Sequence, residues 1–353
     1  MGIDVGGTHT DAVLLEGHKV VAATKRLTSA NVKDGALEAL DTIISSGGVP
    51  QSIIEAVMIG TTQFTNAVVE RRELSPTAII RSGLPSGDMI PPMTDWPEDI
   101  ADAVGRHTYM VQGGHTYDGF PIGVLDFEEV DRVIDELIEK GIQLVAVSSV
   151  FSPSDPSQEL EIGERINERR PDARVTLSHT IGGMGLLERE NAAILNTALL
   201  PLAQNVVDAF RDALQERGIT CPYYISQNDG TLKSAEFAAE FPALTFASGP
   251  TNSLRGASLL TQLDNAIVVD IGGTTSDVGV LQGGFPRQSN VAIKVGGVRT
   301  NFRMPDIEAI GLGGGSLVSD DGATIGPQSV GYRLVTEGRV FGGETLTSTD
   351  IAV

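Results

Sequence analysis

A short acidic motif occurs twice in this sequence, at residues 4–11 and again at residues 270–277. The first copy reads Asp-Val-Gly-Gly-Thr-His-Thr-Asp, and the second reads Asp-Ile-Gly-Gly-Thr-Thr-Ser-Asp. Both aspartates, both glycines and the threonine after them coincide without a gap. Apolar residues follow each copy, so the repeat predicts two lobes that are built in a similar way.

The residue types of the motif suit the binding of phosphate groups. Paired glycines let the backbone approach phosphate oxygens, and successive N–H groups in a tight turn attract anions. Threonine hydroxyls add further donors. Two such hairpins, one on each side of a cleft, would hold the β- and γ-phosphates of ATP. The predicted cofactor-binding residues of the hairpins are Gly6, Gly7, Thr8, Thr10, Gly272, Gly273, Thr274 and Thr275.

Asp4, Asp11 and Asp270 are the predicted catalytic groups, and Asp4 and Asp270 are also the predicted metal ligands. Asp4 and Asp270 each follow an apolar run, and a carboxylate at a strand end suits Mg²⁺, bound through water. Their alternative role is to cap a turn. Asp11 and Asp277 close the motifs, where they either orient water or stabilise the hairpin by a side-chain hydrogen bond. Neither a Gly-Lys-Ser/Thr loop nor a Gly-x-Gly-x-x-Gly fingerprint accompanies the glycines.

A group of polar residues after the first motif is predicted to contact the substrate. Thr61, Thr62 and Asn66 lie where the apolar run at 56–59 passes into a helical stretch. Strand ends that enter helices are good places to hold a substrate or phosphate oxygen, although the same residues could form an N-cap. His9 lies inside the first motif and is predicted to face the substrate, with an ordinary surface histidine as the alternative.

Two further segments are predicted to contact the nucleotide. Ser248 and Gly249 precede Pro250 and a helical stretch, so they either bind phosphate or only start the helix. Gly313 and Gly314 belong to a glycine run that either forms a nucleotide loop or is an ordinary turn.

A histidine elsewhere in the chain also carries an open interpretation. His179 precedes Glu188 and Glu190, which suggests acid–base or metal chemistry, while a lone histidine is more often ordinary. Histidines and cysteines with the spacing of metal ligands do not occur in the sequence.

Apolar runs alternate with stretches of helical spacing, which predicts an α/β protein with helices on the faces of a sheet. Residues 83–125 interrupt this rhythm with several prolines and glycines and are predicted to be a long irregular insertion on the substrate side. Strands are predicted at 56–59, 77–80, 144–147, 174–177 and 223–226, and helices at 34–46, 65–72, 127–140, 157–169, 190–216 and 252–263.

The overall composition excludes some classes of partner. The 353 residues carry a net charge of −21, which disfavours nucleic acid and anionic membrane surfaces. The single cysteine, Cys221, precludes an intrachain disulfide and suits a reducing compartment. The amino terminus lacks the features of a secretory signal, and apolar runs stay shorter than the roughly 18 residues of a membrane helix. We therefore expect a soluble, cytoplasmic protein.

The paired hairpins resemble the two phosphate motifs of the actin/Hsp70/hexokinase ATPase fold, and the chain as a whole resembles the hydantoinase/oxoprolinase family. The resemblance extends along nearly the whole sequence. The segments that carry it are Gly2–Thr8 with Thr10-Asp11, Gly60-Thr61-Thr62, Thr65–Arg71, Ser178-His179, Glu188–Asn191, Gln227–Gly230, Ser248-Gly249-Pro250, the second motif, Asp306-Ile307 and Gly311–Ser316.

The resemblance implies two ribonuclease H-like lobes, at residues 1–190 and 191–353, with the insertion at 83–125 in the first lobe. It also implies a further adenine-binding segment, so we expect the second lobe to be incomplete at its carboxyl end. Members of this family hydrolyse a cyclic amide or imide, or carboxylate a ketone, at the expense of ATP. In the hydrolysis, phosphorylation of the carbonyl oxygen turns it into a leaving group.

We therefore expect ATP and Mg²⁺ as cofactors, a cyclic amide of the hydantoin or 5-oxoproline type as substrate, a second enzyme subunit as partner, and an oligomeric assembly. Two alternatives stay open on the sequence: a small-molecule kinase of the same fold, and an ATP-binding regulatory or scaffold subunit without chemistry of its own. A kinase would leave a phosphorylated product, whereas the hydrolase would release phosphate.

Overall fold

The computed structural model describes residues 1–6, 9–27, 32–48, 50–289, 292–301 and 303–353. The chain forms two compact units. Unit 1 comprises Met1–Gln227, Leu232–Phe246 and Ser289–Met304, and unit 2 comprises Asn228–Thr231, Ala247–Gln288 and Pro305–Val353.

Most of unit 1 is built from strands and helices that alternate along the chain. Its first strands are β1 (Gly2–Val5), β2 (His9–Glu16), β3 (Lys19–Leu27), β4 (Val57–Thr61), β5 (Thr77–Leu84), β6 (His107–Gln112), β7 (Leu144–Ser149), β8 (Arg174–Leu177), β9 (Tyr223–Ser226) and β10 (Leu232–Ser234). Its helices are α1 (Val32–Gly47), α2 (Gln63–Glu70), α3 (Glu98–Val104), α4 (Phe127–Glu139), α5 (Ser157–Arg169), α6 (Leu186–Glu216) and α7 (Ala235–Glu240).

These strands form two sheets among the described residues. One has the order β10-β9-β4-β1-β2-β3, in which β1 pairs antiparallel with β2 and parallel with β4. The other has the order β6-β5-β7-β8 and is parallel throughout. Every residue of β7 is buried, as expected for a parallel strand that helices cover on both faces.

Helices α4 and α5 form the core against the parallel sheet. The α4 side chains Val130, Ile134 and Leu137 recur at helical spacing and are buried together with Ile162 and Ile166 of α5. The carboxylate of the residue before α4, Asp126, accepts the N–H groups of residues 128 and 129 and so fixes where this helix begins.

Helix α6 passes through the middle of unit 1. It continues through Pro201, and nearly all of its first half is buried. By length and composition α6 is the one helix in the described part of the chain that could cross a membrane, and 72% of its most apolar window is buried within the protein. That environment is typical of a core helix, which is apolar on all sides.

The segment 83–125 is more regular than its composition predicts. It contains α3 and also β6, which forms the edge of the parallel sheet beside β5. Trp96 is buried here, and its Nε1 donates a hydrogen bond of 2.7 Å to Oδ1 of Asn191 on α6. The prolines and glycines that suggested an irregular insertion lie in the loops on either side of α3 and β6.

Unit 2 is built around a short antiparallel sheet. Its first elements are α8 (Ser248–Thr261), β11 (Ala266–Ile271), β12 (Ser276–Gln282) and β13 (Phe285–Pro286). The next two strands, β14 (Ile293–Val295) and β15 (Val298–Thr300), form a hairpin that belongs to unit 1. The chain then returns to unit 2 with β16 (Ile307–Ile310), β17 (Ser316–Val318), β18 (Ile325–Ser329), α9 (Leu334–Glu337) and α10 (Ser348–Ala352). Strand β12 pairs with β11 on one side and with β13 and β16 on the other. Helix α8 packs against β11, β12 and β13.

Candidate functional site

Both copies of the repeated motif form the same hairpin. In β1 and β2, Asp4 lies directly opposite Asp11, and in β11 and β12 Asp270 lies directly opposite Asp277. The tips also share a backbone hydrogen bond. It joins the N–H of Gly6 to the carbonyl of His9 at 3.0 Å, and the N–H of Gly272 to the carbonyl of Thr275 at 2.8 Å. The remaining tip residues of the first hairpin, Gly7 and Thr8, lie outside the described residues.

The tip of the second hairpin is open on its outer side. Gly272, Gly273, Thr274 and Thr275 are all exposed. The N–H groups of Gly273 and Thr274 donate to no acceptor within the described residues. A Cβ placed on Gly273 would meet no atom within 4 Å. These two N–H groups are therefore available for an anion, as the phosphate-binding prediction requires.

The aspartates of the second hairpin form a pair of interacting carboxylates. Oδ2 of Asp270 accepts a hydrogen bond of 2.6 Å from the hydroxyl of Ser253 on α8. Burial, together with the nearby charge of Asp270, raises the pKa of Asp277 above its usual value. A cation bound beside the two carboxylates would stabilise the ionised form of Asp277. This donor set therefore fits Mg²⁺, which is usually bound by one or two carboxylates together with phosphate and water.

The first hairpin balances its charge with a lysine. Asp11 lies opposite Lys25 in the register of β2 and β3, and Nζ of Lys25 contacts Oδ2 of Asp11 at 3.1 Å. Thr10, predicted to contact the cofactor, is fully buried. Its counterpart Ser276 is also buried, and the Ser276 hydroxyl donates to the carbonyl of Leu312 at 2.6 Å. Both side chains are therefore buried in the hairpins, and a contact of Thr10 with the cofactor stays a prediction.

The predicted substrate-binding threonines lie beside the first hairpin. Parallel pairing of β1 with β4 places Thr61 opposite Val5, and the N–H of Thr62 donates to the carbonyl of Val5 at 3.2 Å. Carboxyl ends of neighbouring parallel strands are the usual place for a ligand in an α/β sheet. The structure therefore brings this segment next to the end of β1, and its contact with a substrate stays a prediction.

The same residues also begin helix α2. Thr62 is the residue before α2, and Nδ2 of Asn66 lies 3.4 Å from the Thr62 hydroxyl. Thr61 is buried, and its hydroxyl accepts the N–H of Gln63 at 3.2 Å. His9 is partly buried at the start of β2. Of this group, Thr62 and Asn66 are the partly exposed polar groups beside the hairpin.

Ser248 and Gly249 are the first residues of α8, after Ala247 in a left-handed conformation with φ of 57°. Ser248 is buried, whereas Gly249 is partly buried. The helix that they begin, α8, contains Ser253, whose hydroxyl donates a hydrogen bond to Asp270. Their segment thus positions the second hairpin, while a direct contact with phosphate stays a prediction.

The glycine run at 313–315 packs directly on the second hairpin. The N–H of Gly314 donates to the carbonyl of Gly272 at 2.9 Å, and the N–H of Gly315 donates to that of Gly273 at 2.7 Å. A Cβ on Gly313 would lie 2.6 Å from the amide nitrogen of Thr274, which explains why glycine is needed there. The run therefore holds the hairpin tip, and a nucleotide contact by Gly313 or Gly314 stays a prediction.

A buried ion pair crosses the core of unit 1. Arg81 of β5 and Glu190 of α6 are both fully buried and form two hydrogen bonds, of 2.7 and 2.5 Å. The hydroxyl of Ser148 donates to the same carboxylate at 2.5 Å. Removal of one partner would leave an uncompensated buried charge. Arg81 was not among the predicted site residues, although an arginine directly after the apolar run at 77–80 is a usable signal.

A second buried network contains His179. Nδ1 of His179 lies 2.7 Å from Oε2 of Glu159, and the His179 N–H also donates to this oxygen at 3.0 Å. Although burial acts to raise it, hydrogen bonds from His179 hold the pKa of Glu159 below its usual value. Arg189 donates to the hydroxyl of Ser178 at 2.8 Å within the same network.

The acidic partner of His179 is thus Glu159, not Glu188 or Glu190. Glu188 pairs instead with Arg299 at 2.6 Å, and Glu190 pairs with Arg81. The sequence could not show this because Glu159 comes from a different helix, α5. Within the described ranges, three or more histidines, cysteines or acidic residues do not gather into a metal site.

The fold and the doubled hairpin define a mixed α/β protein with two glycine-rich turns that each bear a pair of opposed aspartates. Residues 1–170 match the family description "Hydantoinase/oxoprolinase N-terminal region", and residues 189–353 match "Hydantoinase/oxoprolinase". The chain belongs to the hydantoinase/oxoprolinase family, which confirms the resemblance seen in the sequence.

Named relatives cover the chain almost completely. It is 26% identical to the caprolactamase subunit alpha of Pseudomonas jessenii, over 94% of this chain and 50% of that protein. It is 25% identical to the acetophenone carboxylase gamma subunit of Aromatoleum aromaticum, over 99% of this chain and 52% of that protein. The crystal structure of the ATP-dependent caprolactamase from Pseudomonas jessenii superposes with a TM-score of 0.79 at 24% identity, over 99% of this chain and 53% of that one. The chain spans about half the length of these relatives.

Proposed function

We propose that this chain is the ATP-binding part of an enzyme that hydrolyses a cyclic amide of the hydantoin or 5-oxoproline type. The observation that carries the proposal is the doubled hairpin, which has the same aspartate register and the same tip hydrogen bond in both copies. Membership of the hydantoinase/oxoprolinase family and similarity to a caprolactamase subunit support the choice of a cyclic amide. When bound, ATP supplies the phosphoryl group that converts the amide oxygen into a leaving group.

The second hairpin gives the clearest roles to individual residues. The N–H groups of Gly273 and Thr274 would bind phosphate oxygens, and Asp270 with Asp277 would hold Mg²⁺, directly or through water. Ser253 keeps Asp270 in position by its hydrogen bond. Charge stabilisation at the phosphoryl group by fixed donors is the main way a protein accelerates such a transfer.

The first hairpin would also bind phosphate and hold it near the substrate. Asp4 is the counterpart of Asp270, and Gly6 is the counterpart of Gly272. Thr62 and Asn66 lie next to this hairpin and carry the donors that a cyclic amide's carbonyl and ring groups would need. The amide oxygen would be held there by hydrogen bonds, which fixes its direction of attack.

We also propose a division into lobes, a partner subunit and a cellular location for this protein. Each family description matches one part of the chain, at 1–170 and 189–353, and the chain forms two compact units, which supports a division into two lobes. The relatives are named as alpha and gamma subunits, which supports the need for a second subunit and an oligomeric assembly. A single cysteine and the acidic composition support a cytoplasmic setting without nucleic-acid or membrane partners.

The test compares aspartate variants of the two hairpins. Asp4→Asn and Asp270→Asn should each weaken binding of Mg-ATP by at least about 10-fold in calorimetry, because each loses a charged group that acts on Mg²⁺ and phosphate. Each should also abolish ATP turnover stimulated by hydantoin, 5-oxoproline or caprolactam. Glu16→Gln, an exposed carboxylate at the far end of β2, is the matched control and should change neither quantity. Unchanged Mg-ATP binding in both aspartate variants would rule out this site.

A second activity, ATP-dependent carboxylation of a ketone, is favoured by the similarity to the acetophenone carboxylase gamma subunit. The two reactions differ in what stimulates phosphate release. Phosphorus NMR of the reaction, with cyclic amides in one series and a ketone plus bicarbonate in the other, separates them. A phosphorylated product in place of free phosphate would instead indicate a kinase.

A further inference from the structure

A buried glutamine lies at the carboxyl end of strand β9 in unit 1. Gln227 directly follows β9 and is 3% exposed. Its amide nitrogen, Nε2, is buried and has no hydrogen-bond partner within the part of the chain that the structure describes. A buried amide donor costs free energy unless it is bonded, so such a group in a folded protein needs an explanation. A ligand that supplies an acceptor is one explanation, and a buried water is the other.

The strand pairing places Gln227 at the edge of the sheet where the proposed substrate residues lie. Strand β9 runs parallel to β4, with Ile225 opposite Ile59, and β4 runs parallel to β1. Two residues further along both segments, Gln227 reaches the level of Thr61, the last residue of β4. Neighbouring strands are about 4.8 Å apart, so Gln227 lies one strand from Thr61 and Thr62 and two strands from the first hairpin. The carboxyl ends of parallel strands are the usual place for a ligand.

A second buried glutamine of unit 1 shows what a structural role looks like. Gln158 of α5 is 6% exposed, and its Oε1 accepts the hydroxyl of Ser82 at 2.5 Å and the N–H of Gly114 at 2.6 Å. The Nε2 group of Gln158 donates to the carbonyl of Gly123 at 3.2 Å. Both ends of this amide therefore hold other segments of the protein, whereas the amide nitrogen of Gln227 holds none of the described ones.

The position of Gln227 favours an acceptor on the part of the substrate that does not react. Strand β4, with Thr62 directly after it, lies between β9 and β1 in the sheet. In the proposed site, Thr62 and Asn66 hold the amide oxygen that receives the phosphoryl group near the first hairpin. Gln227 follows the strand on the other side of β4, so it would meet a group of the substrate that is further from the phosphate. An uncharged N–H donor suits a carbonyl oxygen there.

We propose that Gln227 selects cyclic substrates with a second carbonyl oxygen, by donating a hydrogen bond from Nε2 to that oxygen. The inference rests on the proposed function and deepens it, because it favours hydantoins and cyclic imides over simple lactams. A site that hydrogen-bonds a substrate group rejects an analogue without that group, since the polar atom of the site is then left unpaired. The unpaired Nε2 of Gln227 is such an atom.

The probes are succinimide and 2-pyrrolidinone, rings of the same size that differ in one carbonyl oxygen. With Mg²⁺ and a non-hydrolysable ATP analogue present, NMR titration should show that succinimide binds at least about 5-fold more tightly. Gln227→Met removes the amide, keeps nearly the same length and should abolish most of this preference. The melting temperature of Gln227→Met, followed by circular dichroism, should be unchanged or raised, because the variant loses a donor that has no partner in the free protein.

Gln158→Met is the matched control. It should lower the melting temperature by at least about 2 °C, because it breaks hydrogen bonds within the protein, and it should keep the preference for succinimide. An equal loss of stability in Gln227→Met would assign its amide to a structural water and overturn the inference. An unchanged preference in Gln227→Met, or a wild type that binds the two rings equally or not at all, would overturn it too. In a protein whose Mg-ATP binding depends on Asp4 and Asp270, these outcomes leave the proposed nucleotide site intact.

Discussion

The two hairpins of this protein have the same motif and the same internal geometry but different surroundings. Asp4 opposes Asp11 as Asp270 opposes Asp277, and both tips close with the same backbone hydrogen bond. Beyond the hairpin the copies diverge. Strand β1 lies between two neighbours, whereas β11 has one among the described residues, and Lys25 faces Asp11 where Ala309 faces Asp277. A local motif can therefore fix a turn without fixing what surrounds it.

The largest difference in the free energy of unfolding should appear when a charge is placed at corresponding positions of β1 and β11. Ile3→Lys should destabilise unit 1 by at least about 3 kcal/mol, because it buries an unpaired charge. Val269→Lys, at the corresponding position of β11, should change stability by no more than about 0.5 kcal/mol, because Val269 is 52% exposed whereas Ile3 is 3% exposed. Urea unfolding followed by fluorescence of the single tryptophan, Trp96, reports on unit 1, and circular dichroism reports on the whole chain. Equal costs at the two positions would contradict the difference in burial.

A smaller effect should separate two glycines of unit 2. Gly313→Ala should cost about 1–3 kcal/mol, because its Cβ would meet the amide nitrogen of Thr274 at 2.6 Å and push the hairpin aside. Gly273→Ala should be nearly neutral for stability, since its Cβ points into open space. Thermal unfolding by circular dichroism measures both. A destabilised Gly273→Ala would mean that the hairpin tip is packed rather than open.

The smallest effect concerns Asp277, which has Ala309 opposite it where Asp11 of the first hairpin has Lys25. Asp277 has a raised pKa, so its contribution to stability is greatest at low pH and is lost as the pH rises through that raised value. Ala309→Lys copies the position of Lys25 and should lower the pKa of Asp277 toward its ordinary value. A carboxyl NMR titration checks this, with Ala309→Met as the uncharged control. A pKa unmoved by Ala309→Lys would show that Lys25 and Ala309 are not equivalent positions.

Much of the fold followed from local patterns. The apolar run at 144–147 and the helical spacing at 127–140 correspond to β7 and α4, because both elements bury side chains at their own period. The short elements α3 and β6 within the segment 83–125 were not predicted, since the many glycines and prolines around them indicated only loops. The hairpin prediction was the most informative, because tight glycine turns are specified within a few residues.

The sequence by itself determined the hairpins, their aspartates and the family. The tertiary structure alone decided which groups meet. It placed Thr62 beside Val5, paired His179 with Glu159, joined Arg81 to Glu190, and set the glycine run on the second tip. The reason is physical: a turn is fixed by its own backbone, whereas these contacts join elements that are distant along the chain and depend on how the strands and helices pack.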